Sequence, residues 1–160
     1  MKRGSTKFLK IAVIFLGIPI LALCIFVLPT LAIDAAESNS KFAYALYGIV
    51  IVMYVSAIPY FIALYQAFKL LSYIDKNKAF SEISVKSLKN IRNCAITISG
   101  LHVIGLPMFF IFAHLDDAPG VVLVGMLFIF APMVIAVFAA VLQKLLQEAI
   151  TIKSENDLTV

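Results

Sequence analysis

The apolar residues of this chain are concentrated in four blocks, which are separated by more polar segments of 7 to 29 residues. The blocks cover residues 11–33, 42–64, 94–113 and 121–142, and none of them contains Asp, Glu, Lys or Arg. Each block is 20 to 23 residues long, and about 20 helical residues cross the roughly 30 Å of bilayer hydrocarbon. The pattern therefore predicts an all-α fold, a polytopic membrane bundle of four transmembrane helices.

The composition extends this prediction to the whole chain. Of its 160 residues, 62% are hydrophobic and 14% are charged, whereas soluble domains are roughly 45–50% apolar and about 25% charged. Four spans use most of the length, so we expect a single membrane domain over residues 1–160 with no separate catalytic domain.

Lysine and arginine are distributed unevenly between the segments. Of the 13 basic residues, Lys41 alone lies between the first two blocks, and none lies in residues 114–120. The others precede the first block, lie between the second and third, or follow the fourth. Cytoplasmic loops carry the excess of basic residues in membrane proteins. We therefore expect a multi-pass protein of the cell membrane, with both termini, residues 65–93 and residues 143–160 in the cytoplasm.

The segment between the second and third blocks has its own pattern. Helical periodicity continues to Ile74, breaks at residues 75–78 and resumes after Ser81, a good N-cap residue that Phe80 precedes. A short amphipathic helix is therefore predicted between helices two and three, on the cytoplasmic lipid surface. Its apolar side holds Val85, Leu88 and Ile91, and its basic side holds Lys86, Lys89 and Arg92. We expect the three basic residues to contact anionic lipid headgroups.

Two short segments resemble one bacterial family. The first is YIDKNKAFS at residues 73–81, and the second is ENDLTV at residues 155–160. Both resemble the YoaS-like family of four-helix membrane proteins, which is a family of unknown function. The resemblance implies an integral protein of a bacterial membrane and implies no catalytic residue. The candidate motif or interaction residues are Asp75, Phe80, Ser81 and Leu88.

His102 is the one side chain inside the four blocks that would titrate near neutral pH. Ionisable residues inside a membrane are functional candidates by default. By helical rise, His102 lies only about 12 Å from the start of its block, which is too shallow for a central proton relay. We therefore expect His102 to hydrogen-bond a tyrosine of the second helix instead.

Tyrosines of the second helix follow a spacing of three and four residues. They are Tyr44, Tyr47, Tyr54 and Tyr65. Their hydroxyls need partners in a bilayer, so the stripe should face other helices or a polar cavity. Interfacial anchoring with bundle packing is favoured over a ligand-binding aromatic wall, and Tyr47 and Tyr54 join His102 as candidate intramembrane polar residues. Each block also contains proline, and the expected bends favour packing over hinge motion.

Residues suited to catalysis or metal binding do not form a recognisable pattern in the sequence. No block holds a carboxylate for proton-coupled transport. Cys24 and Cys94 differ in predicted depth by about 20 Å, which is beyond the reach of a disulfide. No phosphate-binding loop or metalloprotease motif occurs either. We therefore expect no enzyme activity, no cofactor and no metal site.

The charged, structured segments cluster on the predicted cytoplasmic side, which favours a sensing, regulatory or scaffolding role there. The expected partners are the bilayer, with anionic headgroups at that face, and a cytoplasmic protein or a second copy of the chain. Direct binding of nucleic acid is not expected. The alternative is a small transporter, or a resistance or immunity component, with an aromatic-lined cavity inside the membrane.

Overall fold

Helices account for almost every residue of the computed structural model, which describes residues 3–38 and 40–159. The helices are α1 (Arg3–Ala22), α2 (Leu28–Glu37), α3 (Ser40–Asp75), α4 (Glu82–Leu115) and α5 (Gly120–Thr159). A π-helical turn over Leu23–Val27 joins α1 to α2 without a break. Together these two helices form the first of four candidate membrane spans, and the others are α3, α4 and α5. The predicted all-helical fold with four spans is confirmed.

The helices are much longer than the apolar blocks that nucleate them. α3 has 36 residues and α5 has 40, so at the usual helical rise they extend about 54 Å and about 60 Å. Because four spans bring the chain back to its starting side, one end of the bundle holds three features. These are the start of α1, the turn at residues 76–81 and the C-terminal part of α5. We call this end the basic end.

Residues 82–93 are not a separate helix, which corrects the prediction. They form the first third of α4, because no Gly or Pro interrupts the chain between Ser81 and Ser99. Ser81 does stand at the N-cap, with extended backbone (φ −142°, ψ 158°), but its hydroxyl makes no capping bond. Val85 and Leu88 are buried in the bundle, so the apolar side of this segment packs against protein.

α4 occupies the middle of the bundle. It packs along α3 on one side and along α5 on the other, while α1 and α2 pack on α3. α1 and α5 therefore flank the row and share no comparable packing. Large apolar side chains of α1, such as Phe8 and Phe15, are about 70% exposed, as expected for a helix that faces lipid on most sides.

The close approach of α3 and α4 depends on a glycine. A Cβ atom at Gly105 would lie 2.8 Å from Cγ2 of Val52, which is closer than real Cβ atoms come. Val52 is β-branched and has little χ1 freedom, so it cannot easily move aside. Small residues of this kind let membrane helices pack backbone to backbone.

We predict that Gly105→Ala destabilises the protein by about 1–3 kcal/mol, the usual cost of overpacking a tight core. The matched control is Gly100→Ala on the same helix, where an added Cβ meets nothing within 4 Å. That control should be neutral or stabilising by about 0.5–1 kcal/mol, because alanine is the better helix former. Unfolding in detergent micelles measures both changes, and equal effects of the two variants would contradict the packing argument.

Candidate functional site

A cavity of about 400 Å³ lies inside the bundle, and all four spans contribute to its walls. It exists because the inward faces carry small side chains, among them Ala57 on α3, Ala95 on α4 and Ala131 on α5. Such side chains are too short to fill the space between the flanking helices α1 and α5. The lining contains no Asp, Glu, Lys or Arg, so the cavity is an apolar compartment.

His102 is the most conspicuous polar group of this cavity. The side chain is 2% exposed and its ring stacks on Phe128, with ring centroids 5.0 Å apart. Nδ1 lies 3.0 Å from the carbonyl oxygen of Ile98. Because a carbonyl can only accept, Nδ1–H donates this bond. A buried imidazolium would lack a counter-charge in this apolar lining, so the ring is neutral and Nε2 keeps its lone pair. Nε2 is buried and has no hydrogen-bond partner among the residues that the structure describes.

The prediction that His102 hydrogen-bonds a tyrosine of the second helix is therefore wrong. Two tyrosines of α3 instead donate to backbone carbonyls of the first span. Tyr54 Oη lies 2.7 Å from the carbonyl oxygen of Cys24, and Tyr60 Oη lies 2.7 Å from that of Leu16. The role of Tyr60 was missed, because it lies off the predicted stripe.

The bond from Tyr54 has a local cause in the first span. The N–H of Leu28 donates to the carbonyl of Leu23, which is the π-helical register. The next bond in this register would require the N–H of residue 29, which is proline and has none. The carbonyl of Cys24 thus needs another donor inside the membrane, and the hydroxyl of Tyr54 supplies it.

The remaining tyrosines of the predicted stripe lie away from the cavity. Tyr44 is 74% exposed, and Tyr47 and Tyr65 are also exposed. None of the four stripe residues lines the cavity, whose aromatic side chains are Tyr60 and Phe128. The stripe is therefore not an aromatic wall around this space.

The candidate motif residues lie at the basic end, in and beside the turn at residues 76–81. Asp75 pairs with Lys10, with 2.7 Å between Oδ2 and Nζ, and this ion pair joins the end of α3 to the start of α1. The hydroxyls of Ser81 and Ser84 both donate to the carbonyl of Lys78. Phe80 is exposed and Leu88 is buried, so the motif residues do not converge on one pocket.

The three predicted headgroup contacts have different surroundings. Lys86 and Lys89 are exposed, whereas Arg92 is partly buried. Nη1 of Arg92 lies 3.3 Å from Oε1 of Gln143, so its guanidinium already binds α5. Gln147 in turn donates to Glu82 at 3.2 Å. These bonds hold the C-terminal part of α5 beside the first part of α4. An open polar groove of about 660 Å³ lies along α5 there, next to Arg92.

Neither region offers a metal site in the part of the chain that the structure describes, where no three His, Cys, Asp or Glu side chains cluster. Cys24 lines the cavity and Cys94 does not, and both are free thiols. The lining of the cavity offers apolar contacts and, at Nε2 of His102, a hydrogen-bond acceptor.

Four long apolar helices, a buried polar side chain between them and a charged end define a small polytopic membrane protein. The sequence profile of a family described as protein of unknown function (DUF2975) matches residues 30–160. The chain belongs to this family. It is also 63% identical to the uncharacterized membrane protein YoaS of Bacillus subtilis (strain 168), over 160 residues and the full length of both chains. The resemblance stated from the two short segments is confirmed, and no solved structure matches the chain.

We predict that Tyr54→Phe lowers the free energy of unfolding by about 0.6–1.7 kcal/mol, which are the average and the largest values measured for hydrogen bonds between membrane helices. The variant keeps the ring and removes the donor to Cys24. Tyr44→Phe is the matched control, since Tyr44 is exposed on the same helix. Both are measured by unfolding in detergent or bicelles. A loss that is equally large in the control would show that the bond to Cys24 is not the cause.

Proposed function

We propose that this protein is a non-enzymatic membrane protein whose basic end faces the cytoplasm and performs a sensing, regulatory or scaffolding role. The observation that carries the proposal is the C-terminal part of α5, which continues as a helix to Thr159. This part of α5 is held beside α4 by hydrogen bonds to Glu82 and Arg92. From residue 151 to residue 158 every side chain is exposed.

The exposed part of α5 carries both apolar and charged groups. Leu145 and Ile152 are each more than half exposed and lie two helical turns apart, so they share one face. Beside them, Lys144 and Glu148 line the polar groove. An apolar stripe with a charged margin is typical of a surface that another protein covers.

The charge distribution supports the proposed orientation. Twelve of the 13 basic residues lie within residues 2–10, 69–92 and 144–153, whereas the opposite connections, near residues 38–41 and 116–119, carry Lys41 alone. Cytoplasmic loops hold the excess of Lys and Arg in membrane proteins. The same charges would attract anionic lipid headgroups, chiefly at Lys86 and Lys89.

The test is photocrosslinking in cells from a photoreactive amino acid at position 148. We expect one discrete protein adduct, either a cytoplasmic protein or a second copy of this chain. Position 104 is the control, because Ile104 is 76% exposed on the span formed by α4 and should capture lipid. Recovery of lipid alone from both positions would contradict a role for the basic end.

A second candidate function is supported by the cavity. A space of about 400 Å³ with four apolar walls has the size of a small-molecule site, as a transporter or a resistance or immunity component would require. If this function operates, deletion of the gene changes tolerance to some cationic or amphipathic compound. The wild-type gene should restore tolerance, and an Ala57→Phe gene, which fills the cavity, should not. Unchanged tolerance across a broad panel would rule the second candidate out.

A further inference from the structure

We propose that the cavity binds an uncharged, lipid-soluble alcohol that comes from the bilayer. Its apolar body fills the space between α1 and α5, and its hydroxyl donates a hydrogen bond to Nε2 of His102. The inference deepens the second candidate function by naming the ligand class, and it requires binding without requiring transport.

The walls select an uncharged ligand. The lining contains no Asp, Glu, Lys or Arg, so it offers no counter-charge that would favour the cationic form of His102. Burying an ion there would therefore cost its hydration without a counter-charge in return. Apolar lining with a small number of placed polar groups is the general character of small-molecule sites, and about 400 Å³ lies within their usual range.

The polar groups of the lining determine which kind of hydrogen-bonding group the ligand needs. The hydroxyl of Tyr60 donates to Leu16, and that of Ser56 donates to the carbonyl of Met53. His102 Nδ1–H donates to Ile98. Nε2 is left as a buried acceptor with no partner in the described chain, and such an atom destabilises the protein when it is not satisfied. A ligand that satisfies it must donate, as a hydroxyl does.

The path of access is lateral. α1 and α5 are linked through α3 and α4 and share no comparable packing with each other. Leu16 on α1 is 55% exposed, and Ala131 on α5 is exposed as well, although both line the cavity. The side of the cavity between these helices therefore borders the hydrocarbon, from which a lipid-soluble molecule can enter without crossing water.

The experiment uses the full-length protein in phosphatidylcholine nanodiscs and two matched probes. One is dodecanol that carries a photoreactive diazirine and an alkyne tag, and the other is its methyl ether, which cannot donate. We expect the alcohol to label peptides of α1 or α5 that line the cavity, with competition by unlabelled dodecanol. The ether should bind roughly fivefold more weakly or worse, the value of about one neutral hydrogen bond.

Two variants and one control variant test whether His102 causes the preference for the alcohol over the ether. His102→Phe keeps a ring against Phe128 and removes the acceptor, so it should abolish the preference for the alcohol over the ether. His114→Phe, on an exposed residue near the end of the same helix, should retain it. Ala131→Phe fills the cavity from a tolerant, exposed position and should reduce labelling by both probes, which keeps the test decisive if His102→Phe does not fold.

Equal labelling by alcohol and ether in the wild-type protein would overturn the proposal, since ordinary lipid chains or water would then occupy the space. Labelling that avoids the cavity peptides would overturn it as well. Neither result would bear on the role of the basic end, which crosslinking from position 148 tests. The tolerance of deletion strains tests the second candidate function separately.

Discussion

Hydrocarbon offers no hydrogen bonds, so every polar group of the backbone inside the membrane must find its partner within the protein. Helices satisfy that requirement along most of each span. Where the first span changes to π register ahead of Pro29, the hydroxyl of Tyr54 supplies the missing donor across the interface with α3. On the other side of the bundle, the hydroxyl of Ser99 donates to the carbonyl of Ile129 on α5. The bonds that satisfy the backbone are thus also bonds that join the helices.

The same requirement makes a buried polar atom without a hydrogen-bond partner informative. The side-chain hydroxyls that face the cavity are satisfied by backbone carbonyls, whereas Nε2 of His102 is not, in the part of the chain that the structure describes. A buried acceptor without a partner destabilises the protein, and packing elsewhere offsets this cost, unless a ligand donates a hydrogen bond to it. The stacking of His102 on Phe128 fixes the ring in place at the cavity wall.

α1 connects the cavity to the basic end. α1 forms a cavity wall at Leu16 and Ile20, and its start is tied to the end of α3 by the ion pair of Lys10 with Asp75. Nζ of Lys10 also lies 5.4 Å from the centroid of the Phe68 ring, which adds a cation–π contact. Because much of the rest of α1 faces lipid, these contacts and the two tyrosine bonds fix the position of that wall.

The sequence by itself determined the four spans, the extension of α3 to about residue 75, the start of α4 after Ser81 and the family. Hydrophobicity, helix breakers and caps act over a few neighbouring residues, so they can be read along the chain. The sequence pattern misassigned residues 82–93, because their basic and apolar sides suggested a lipid surface while the buried neighbours of Val85 and Leu88 could not be seen. Only the tertiary structure decided that Tyr54 hydrogen-bonds the carbonyl of Cys24 and that Lys10 forms an ion pair with Asp75. It also decided that His102 hydrogen-bonds no tyrosine. These contacts join residues 30 and 65 positions apart, and their formation depends on how whole helices pack, which no local pattern encodes.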